Sequence, residues 1–339
     1  MIFKKLESFR YTKKLAKVFQ NSQNSYDLRS GFIIKFHFND FFGYGEASPL
    51  PFFSNENMKQ VEWAIEELKA VLVIGRQYNV DELLNIFKVF SKDCPSLNFA
   101  LDVALYDILS QRKRVSISKY LNKNAIDKIN FSGISFEGLH LNQSIKIKFG
   151  KENIHKEIKT INNISDKYPN CPLRIDFNRL CDLEDAIYIC NELEGSNIEY
   201  IEEPLKFPLE INYKKLKCSI KLPIALDESI IDGRYKSLIS LDLIDYAILK
   251  PSLFGSIKKV GELSSYLNNY NVKLIISSSL QTEIGNMAEI NLASALELNY
   301  QHGLNNYAFF NSKYEAIYNE RASSVDLQKI IGLGASWSD

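Results

Sequence analysis

The chain has 339 residues, which is too long for one small domain and suits a large domain with a smaller partner. Lysine plus arginine and aspartate plus glutamate each number 41, so no net charge favours a nucleic acid or an anionic membrane as partner. The five cysteines form no C-x-x-C pair, which favours reduced thiols over disulfides or a zinc site. Because no apolar run is long enough to span a membrane and the first residues lead into no signal-peptide core, we expect a cytoplasmic protein.

The first 95 residues predict an α+β unit that begins with antiparallel strands. A strongly apolar run ends at the turn signal Asn39-Asp40, so a meander is expected between Ser8 and Gly45. Apolar residues then recur at helical spacing, which predicts helices over about 55–72 and 80–90. Strands followed by helices, without alternation, are typical of an α+β domain. We expect residues 1–95 to form a separate domain that residues 307–339 complete.

A different pattern follows Pro95, because strands and helices now alternate. Ser96 is the expected N-cap of the first helix in this region. Strands are expected at 129–134 and 144–149 and from 173, 198, 223, 246 and 273, with a weak eighth strand at 302–304. Helices are expected at 151–167, 183–193, 209–220, 234–240, 256–270 and 283–298. Such alternation predicts an α/β fold, a (β/α)7β (TIM-like) barrel over residues 96–306.

Several strands of this predicted barrel end in a charged residue, about 25 residues apart, which is the length of one strand–helix unit. An apolar core does not accept such charges unless they are paired or functional. Catalytic residues of these barrels lie where strands end, at the C-terminal face. The sequence therefore predicts one active site formed by Lys148, Asp176, Glu202, Asp227 and Lys250, with Ser277 one unit further along.

The two-residue period of a strand refines this prediction. Lys146 and Lys148 lie on the same side of their strand, and their like charges should lower the pKa of at least one of them. Three carboxylates from adjacent strands should converge, and Mg2+ relieves the repulsion between such hard oxygen ligands.

Each residue alone also fits a structural role. A lysine at a strand end is commonly solvated, and Asp227-Glu228-Ser229 resembles the start of a helix. Arg174 could neutralise Asp176 in a structural ion pair. Their common phase and spacing are what favour a single active site.

The same motifs resemble those of the enolase superfamily, muconate-lactonising subgroup. The resemblance rests on Lys-x-Lys at 146–148, Asp-x-Asn at 176–178, Glu-Glu-Pro at 202–204, Asp-Glu-Ser at 227–229 and Lys-Pro at 250–251. It extends to Gly-Glu-Ala-Ser-Pro-Leu-Pro at 45–51, in what would be the capping domain of that superfamily. Within the subgroup, the segments 175–179, 250–256 and 276–285 resemble the o-succinylbenzoate synthase family of menaquinone biosynthesis.

This resemblance implies a Mg2+-dependent syn dehydration of 2-succinyl-6-hydroxy-2,4-cyclohexadiene-1-carboxylate to 2-succinylbenzoate. It implies that Lys148 is the general base and acid, that Lys146 keeps it poised, and that Lys250 stabilises the anion. It assigns the metal, which Mn2+ could replace, to Asp176, Glu202 and Asp227. The remaining implied residues are Ser277, for a remote substrate carboxylate, and Asn178, Glu203 and Glu228, which would support the metal ligands.

Three departures from the family pattern leave alternatives open. Phe177 replaces a small residue, Gln281 stands where glutamate is common, and Asn305-Asn306 replaces an Asp/Gly-Thr pair. No Asp-x-Asp follows the eighth strand, which favours the synthase over a dipeptide epimerase. An N-acylamino acid racemase stays open, as does a homo-oligomer. A barrel that only binds a small carboxylate is disfavoured, because binding alone does not need the full set of lysines and carboxylates.

Overall fold

A computed structural model of the chain describes residues 1–20, 25–51, 53–133, 143–305, 309–310 and 323–337. The N-terminal sheet contains β1 (Phe3–Gln20), β2 (Ser25–Phe38) and β3 (Phe41–Ala47). Both strand pairs are antiparallel, and Asn39 takes a positive φ of 52° in the turn between β2 and β3. The predicted meander is therefore confirmed, although it begins at Phe3.

Two helices cover this sheet, α1 (Met58–Val71) and α2 (Val80–Phe90). Asn57 begins α1 by accepting hydrogen bonds from the backbone N–H groups of Lys59 and Gln60. The apolar faces of the helices and the sheet share one buried core, which includes Phe36, Ile65 and Phe87. Both helices lie where helical spacing predicted them.

The next helix, α3 (Pro95–Lys113), is buried on nearly every side. Its Leu101 and Leu105 belong to the core of the N-terminal sheet, whereas Phe99 and Val103 belong to the larger core beyond it. The prediction that Ser96 is the N-cap is wrong, because α3 begins at Pro95 and follows Cys94. Proline suits the first helical position, since its fixed φ is already helical and its missing N–H is not needed there.

The rest of the chain alternates strands and helices. The strands are β4 (Lys128–Phe131), β5 (Ile145–Lys148), β6 (Leu173–Asp176), β7 (Ile198–Glu202), β8 (Ile224–Leu226), β9 (Tyr246–Leu249), β10 (Lys273–Ile276), β11 (Gln301–His302) and β12 (Ser324–Asp326). Strands β5 to β10 form a parallel sheet in chain order, and β4 lies between β11 and β12 in another sheet. Isolated parallel bridges from Gly133 to Ile145 and from Ser277 to Gly303 join the two sheets.

The helices between these strands are α4 (Ile117–Leu121), α5 (Ile154–Lys167), α6 (Leu183–Glu192), α7 (Glu210–Ser219), α8 (Glu228–Ile231), α9 (Tyr235–Ser240), α10 (Pro251–Phe254), α11 (Ile257–Asn269) and α12 (Glu283–Ala295). The longer helices and the parallel strands lie where the sequence predicted them, so the α/β fold is confirmed. The short helices α4, α8 and α10 were not predicted. Within the described residues, no helix combines the length and apolarity needed to cross a membrane.

Alternate residues of the parallel strands face two different surroundings. Ile145, Ile175 and Phe177 pack in the large core beneath the helices. Tyr200 and Tyr246 belong to a small separate cluster on the opposite face of the sheet. The residues predicted to form the active site lie at the carboxyl ends of the strands. They are in phase with this inner cluster.

The C-terminal segment contacts both parts of the molecule. Strand β12 pairs antiparallel with β4, and Trp337 lies 5.6 Å from Tyr11 of β1, measured between ring centroids. Residues 306–308, 311–322 and 338–339 lie outside the described residues, as do Ile134 and Asn306 of the sequence analysis. The assignment of residues 307–339 to the N-terminal domain stays a prediction.

Candidate active site

The carboxyl ends of β5, β6 and β7 bring one lysine against two carboxylates. In the parallel register Lys148 pairs with Asp176, and Asp176 pairs with Glu202 on the next strand. The Lys146 Nζ atom lies 2.8 Å from Asp176 Oδ2 and 2.8 Å from Glu202 Oε1. Although the Lys146 side chain is 36% exposed as a whole, its ammonium group meets two carboxylates that are almost completely buried.

The charges at this point are strongly coupled. Burial, reinforced by repulsion from Asp176, raises the pKa of Glu202 well above its usual range. Burial opposes the charge of Lys146, but Asp176 and Glu202 outweigh that effect and raise the Lys146 pKa well above its ordinary value. The site therefore holds more negative charge than Lys146 alone neutralises.

Lys148 has different surroundings although it lies only two residues away. Burial lowers its pKa, and the charge of Lys146 acts in the same direction while Asp176 opposes it. The prediction that one lysine of the pair has a lowered pKa is confirmed, with burial as the larger cause. A lowered pKa leaves more of Lys148 than of Lys146 in the neutral form that can accept a proton.

A second ion pair lies at the ends of β8 and β9. Asp227 follows β8, and both of its carboxylate oxygens accept a hydrogen bond from Nζ of Lys250, with 2.5 Å between Nζ and Oδ1. Burial opposes the Asp227 charge, but Lys250 outweighs it and lowers the Asp227 pKa, while Asp227 raises that of Lys250. The Phe53 ring, from the loop after β3, lies 5.5 Å from Lys250 Nζ.

Glu203 holds the start of α8 in place behind Asp227. Its Oε1 atom accepts hydrogen bonds from the backbone N–H groups of Asp227, at 2.9 Å, and Ser229, at 2.6 Å. Its Oε2 atom accepts from Arg179 Nε at 3.0 Å. No role was predicted for Arg179 from the sequence, although it follows Asn178 in the segment 175–179; it also binds Asp232.

The other two predicted supporting residues lie beside the carboxylates. The Asn178 backbone N–H donates to Asp176 Oδ1 at 3.1 Å. Burial and repulsion from Asp227 raise the pKa of Glu228 to about 7. Arg174 does not pair with Asp176 and instead binds Glu199, with Nε 2.8 Å from Oε2. The β6–β7 register shifts just before Arg174, which leaves Glu199 beside it, and the guanidinium therefore binds Glu199 rather than the carboxylates at the strand ends.

The side of the strand ends opposite the carboxylates carries small, neutral residues. Ser277 bridges to Gly303, where an added Cβ would lie 2.9 Å from Ser277 Oγ. Asn305 is buried and donates from Nδ2 to the Ser132 carbonyl at 3.0 Å. Its Oδ1 atom has no hydrogen-bond partner among the described residues. No acidic side chain lies between residues 301 and 305.

Whether this site suits a metal ion depends on its donor atoms. Within the described ranges, no three histidine, cysteine or acidic side chains are arranged as a metal site, and ammonium groups lie against the carboxylates. The donor set nevertheless fits a hard divalent cation, because the buried carboxylates of Asp176, Glu202 and Asp227 interact with one another. The raised Glu202 pKa marks the unneutralised negative charge that such a cation would relieve.

Two family models match most of the chain. The model described as "Enolase C-terminal domain-like" matches residues 138–339, more than half of the chain. The model described as "MenC, N-terminal domain" matches residues 3–108, which contain the antiparallel sheet and Phe53.

Individual relatives carry two different activities in their names. An o-succinylbenzoate synthase of Aliivibrio salmonicida is 26% identical over 76% of each chain. An L-amino acid-D/L-Glu epimerase of Sulfurimonas denitrificans is 22% identical over 72% of this chain and 74% of its own. The solved dipeptide epimerase of Enterococcus faecalis V583, complexed with Mg and L-Leu-L-Tyr, has a TM-score of 0.86, with 22% identity over 98% and 99% of the chains. The family model, the relatives and the common fold agree, and the chain belongs to the enolase superfamily.

Proposed function

We propose that the protein is an o-succinylbenzoate synthase, which removes water from 2-succinyl-6-hydroxy-2,4-cyclohexadiene-1-carboxylate to give 2-succinylbenzoate in menaquinone biosynthesis. The observation that carries this proposal is the position of two lysines, Lys148 and Lys250, on either side of the buried carboxylates. The match of residues 3–108 to the MenC N-terminal model and the synthase relatives support it.

Lys148 carries both proton transfers in this proposal. Its neutral amine takes the proton from the carbon that bears the carboxylate, and the electron pair of that C–H bond then expels the hydroxyl group from the neighbouring carbon. The Lys148 ammonium returns the proton to the departing hydroxyl on the same face, so that water leaves and the ring becomes aromatic. The half-buried position of Lys148, which lowers its pKa, supports its role as a base.

Asp176, Glu202 and Asp227 would hold Mg2+, which Mn2+ could replace. When bound, the ion would neutralise negative charge that develops on the substrate carboxylate. Glu203 supports this set by fixing the backbone of Asp227, and Asn178 does the same for the carboxylate of Asp176. Glu228 lies next to Asp227 and is the remaining proposed supporting residue.

The other lysines contribute charge rather than a proton. Lys250 would stabilise the substrate anion from the face opposite Lys148, and Lys146 would keep Lys148 poised while binding the substrate carboxylate. Ser277 would meet the remote succinyl carboxylate, because it lies on the neutral side of the site. The protein would thus act on a small carboxylate.

We also propose that the strands close into a (β/α)7β barrel capped by the N-terminal sheet. The two isolated bridges support closure, because they link β4 with β5 and β10 with β11. The contact of Phe53 with Lys250 supports the capping role of residues 1–95.

The alternative is an N-acylamino acid racemase or dipeptide epimerase that uses Lys148 and Lys250 as two bases. Relatives named as epimerases favour it. The neutral residues between 301 and 305 disfavour a dipeptide with a free amino group, because no carboxylate there would bind its ammonium.

Purified enzyme with Mg2+ tests the proposal directly. The cyclohexadiene substrate, an N-succinylamino acid and L-Ala-L-Glu are supplied separately, and product is followed by absorbance and chirality. We expect aromatic product with the highest kcat/KM for the cyclohexadiene. Epimerisation of either amino-acid substrate without aromatic product would establish the alternative.

A further inference from the structure

Arg29 of β2 is a fully buried cation that binds no carboxylate directly within the described structure. Its Nε atom donates to the Leu280 carbonyl at 3.0 Å, and its Nη1 atom donates to the Pro49 carbonyl at 2.7 Å. Its Nη2 atom donates to the carbonyls of Ser48 and, at 3.3 Å, Ser279. One guanidinium therefore holds two loops together, the one after β3 and the one after β10.

Both loops lead to Lys250. From Pro49 the chain enters a closed turn, in which Leu50 accepts backbone hydrogen bonds from Phe53 at 3.1 Å and Ser54 at 2.8 Å. The Leu50 N–H donates in return to Ser54 Oγ at 2.8 Å. Because these hydrogen bonds tie Phe53 to Leu50, a shift of Pro49 would also move Phe53. The Phe53 ring lies 5.5 Å from Lys250 Nζ.

The second path reaches the backbone of Lys250 through the loop after β10. The hydroxyl groups of Ser279 and Ser252 lie 2.7 Å apart and are both buried. Ser252 lies in α10, which begins directly after Lys250, and the Leu253 N–H donates to the Lys250 carbonyl at 3.0 Å. A displacement of Ser279 would therefore reach the Lys250 backbone through one hydrogen bond and one helical turn.

Glu46 of β3 anchors the same two loops beside Arg29. It accepts hydrogen bonds from the backbone N–H groups of Thr282 and Gly285, each at 3.0 Å, and from Ser48 Oγ at 3.1 Å. Ser48 Oγ in turn accepts from Arg29 Nη2 at 3.0 Å, so a single hydroxyl links the buried cation to the buried anion. This link offsets the cost of burying the two charges.

We propose that Arg29 is a positioning residue of the active site, which fixes the side chain of Lys250 through Phe53 and its backbone through Ser279 and Ser252. The proposal rests on the proposed function only for the role of Lys250 in turnover. The planar guanidinium suits this role, because its three nitrogen atoms donate to carbonyl groups of both loops at once. Lysine at this position has too few directed donors to hold both.

Reductive methylation with formaldehyde, quantified residue by residue by mass spectrometry, tests the proposal without turnover. The variants are Arg29→Met, Arg29→Lys and Ser252→Ala. The matched control is Asp107→Asn, because Asp107 is equally buried and joins α3 to the Tyr44 and Leu333 backbone without contacting either loop. We expect labelling of Lys250 to rise roughly 10-fold in the Arg29 variants, through local opening, while that of Lys148 stays unchanged.

The same variants separate positioning from general stability in turnover. With the cyclohexadiene, kcat of the Arg29 variants should fall roughly 10- to 100-fold with a smaller change in KM, and Asp107→Asn should retain wild-type kcat. If the wild type turns over no substrate but Lys250 labelling still rises selectively, the proposed function fails and the positioning role stands. If Arg29→Met does not fold, the labelling of Lys250 in Arg29→Lys and Ser252→Ala tests the proposal. Unchanged Lys250 labelling in these folded variants, or equal increases at Lys148, would overturn the proposal.

Discussion

Lys146 and Lys148 lie two residues apart on one side of one strand, yet their surroundings give them opposite properties. Two carboxylates within 2.8 Å keep Lys146 charged, whereas burial favours the neutral form of Lys148. A lysine that favours its neutral form and a lysine that stays charged therefore lie side by side. The sequence predicted this pair from the strand period, but the assignment of each role depends on the cross-strand partners.

The three carboxylates of Asp176, Glu202 and Asp227 lead us to predict that turnover strictly requires a divalent metal. Chelation followed by gel filtration should abolish turnover, and added Mg2+ or Mn2+ should restore it. Asp227→Asn should not recover, because two carboxylates remain, which is too few for tight binding of Mg2+. Glu199→Gln is the control, since Glu199 pairs with Arg174 away from these carboxylates. Full activity in chelator would contradict the metal assignment.

Among the elements, α3 joins the two cores of the molecule and carries buried acids that the proposed chemistry does not use. Asp102 accepts a hydrogen bond from the Ile257 N–H, at the start of α11, at 3.0 Å. Burial raises the pKa of Asp102 to about 7 and the pKa of Asp107 to about 6. Because the folded-state pKa exceeds the unfolded one, the folded state is favoured at low pH and loses stability as pH rises toward 7.

Asp102→Asn should therefore stabilise the protein more at pH 8 than at pH 5. The amide keeps an acceptor for Ile257 but carries no charge, so it avoids a cost of up to roughly 4 kcal/mol at pH 8. At pH 5 the folded wild-type carboxyl is already largely protonated, and the gain shrinks. Calorimetric melting at both pH values measures this. An equal change of Tm at the two pH values would show that Asp102 is not the titrating group.

Elements with long periodic patterns could be predicted, whereas short ones could not. Strands β5 to β9 could be predicted because each is an apolar run that ends at a charged residue, as at Asp176 and Glu202. Helices such as α8 and α10 have four residues each and show no periodicity. The partner of Arg174 also escaped prediction, because the β6–β7 register shifts between Leu173 and Arg174.

In the whole molecule, the N-terminal sheet and the parallel strands meet at the predicted catalytic end. Arg29 and Glu46 cross this boundary, and their partners at Leu280 and Thr282 lie more than two hundred positions away in the sequence. No local sequence pattern indicates that Arg29 or Glu46 is buried, or that either one binds both loops. The motif around Glu46 was visible, but its contact with the start of α12 was not.

The reaction type depends on whether one lysine or two exchange protons with the substrate. Wild type, Lys148→Ala and Lys250→Arg are compared in D2O, with the cyclohexadiene and an N-succinylamino acid supplied in turn. Aromatic product and α-deuterium exchange are measured. We predict that Lys148→Ala loses turnover, while Lys250→Arg retains part of the dehydration, because arginine keeps the charge. If the wild type forms no aromatic product but exchanges the α-hydrogen on both faces, and Lys250→Arg loses that exchange, Lys250 is a second base and the synthase account is wrong.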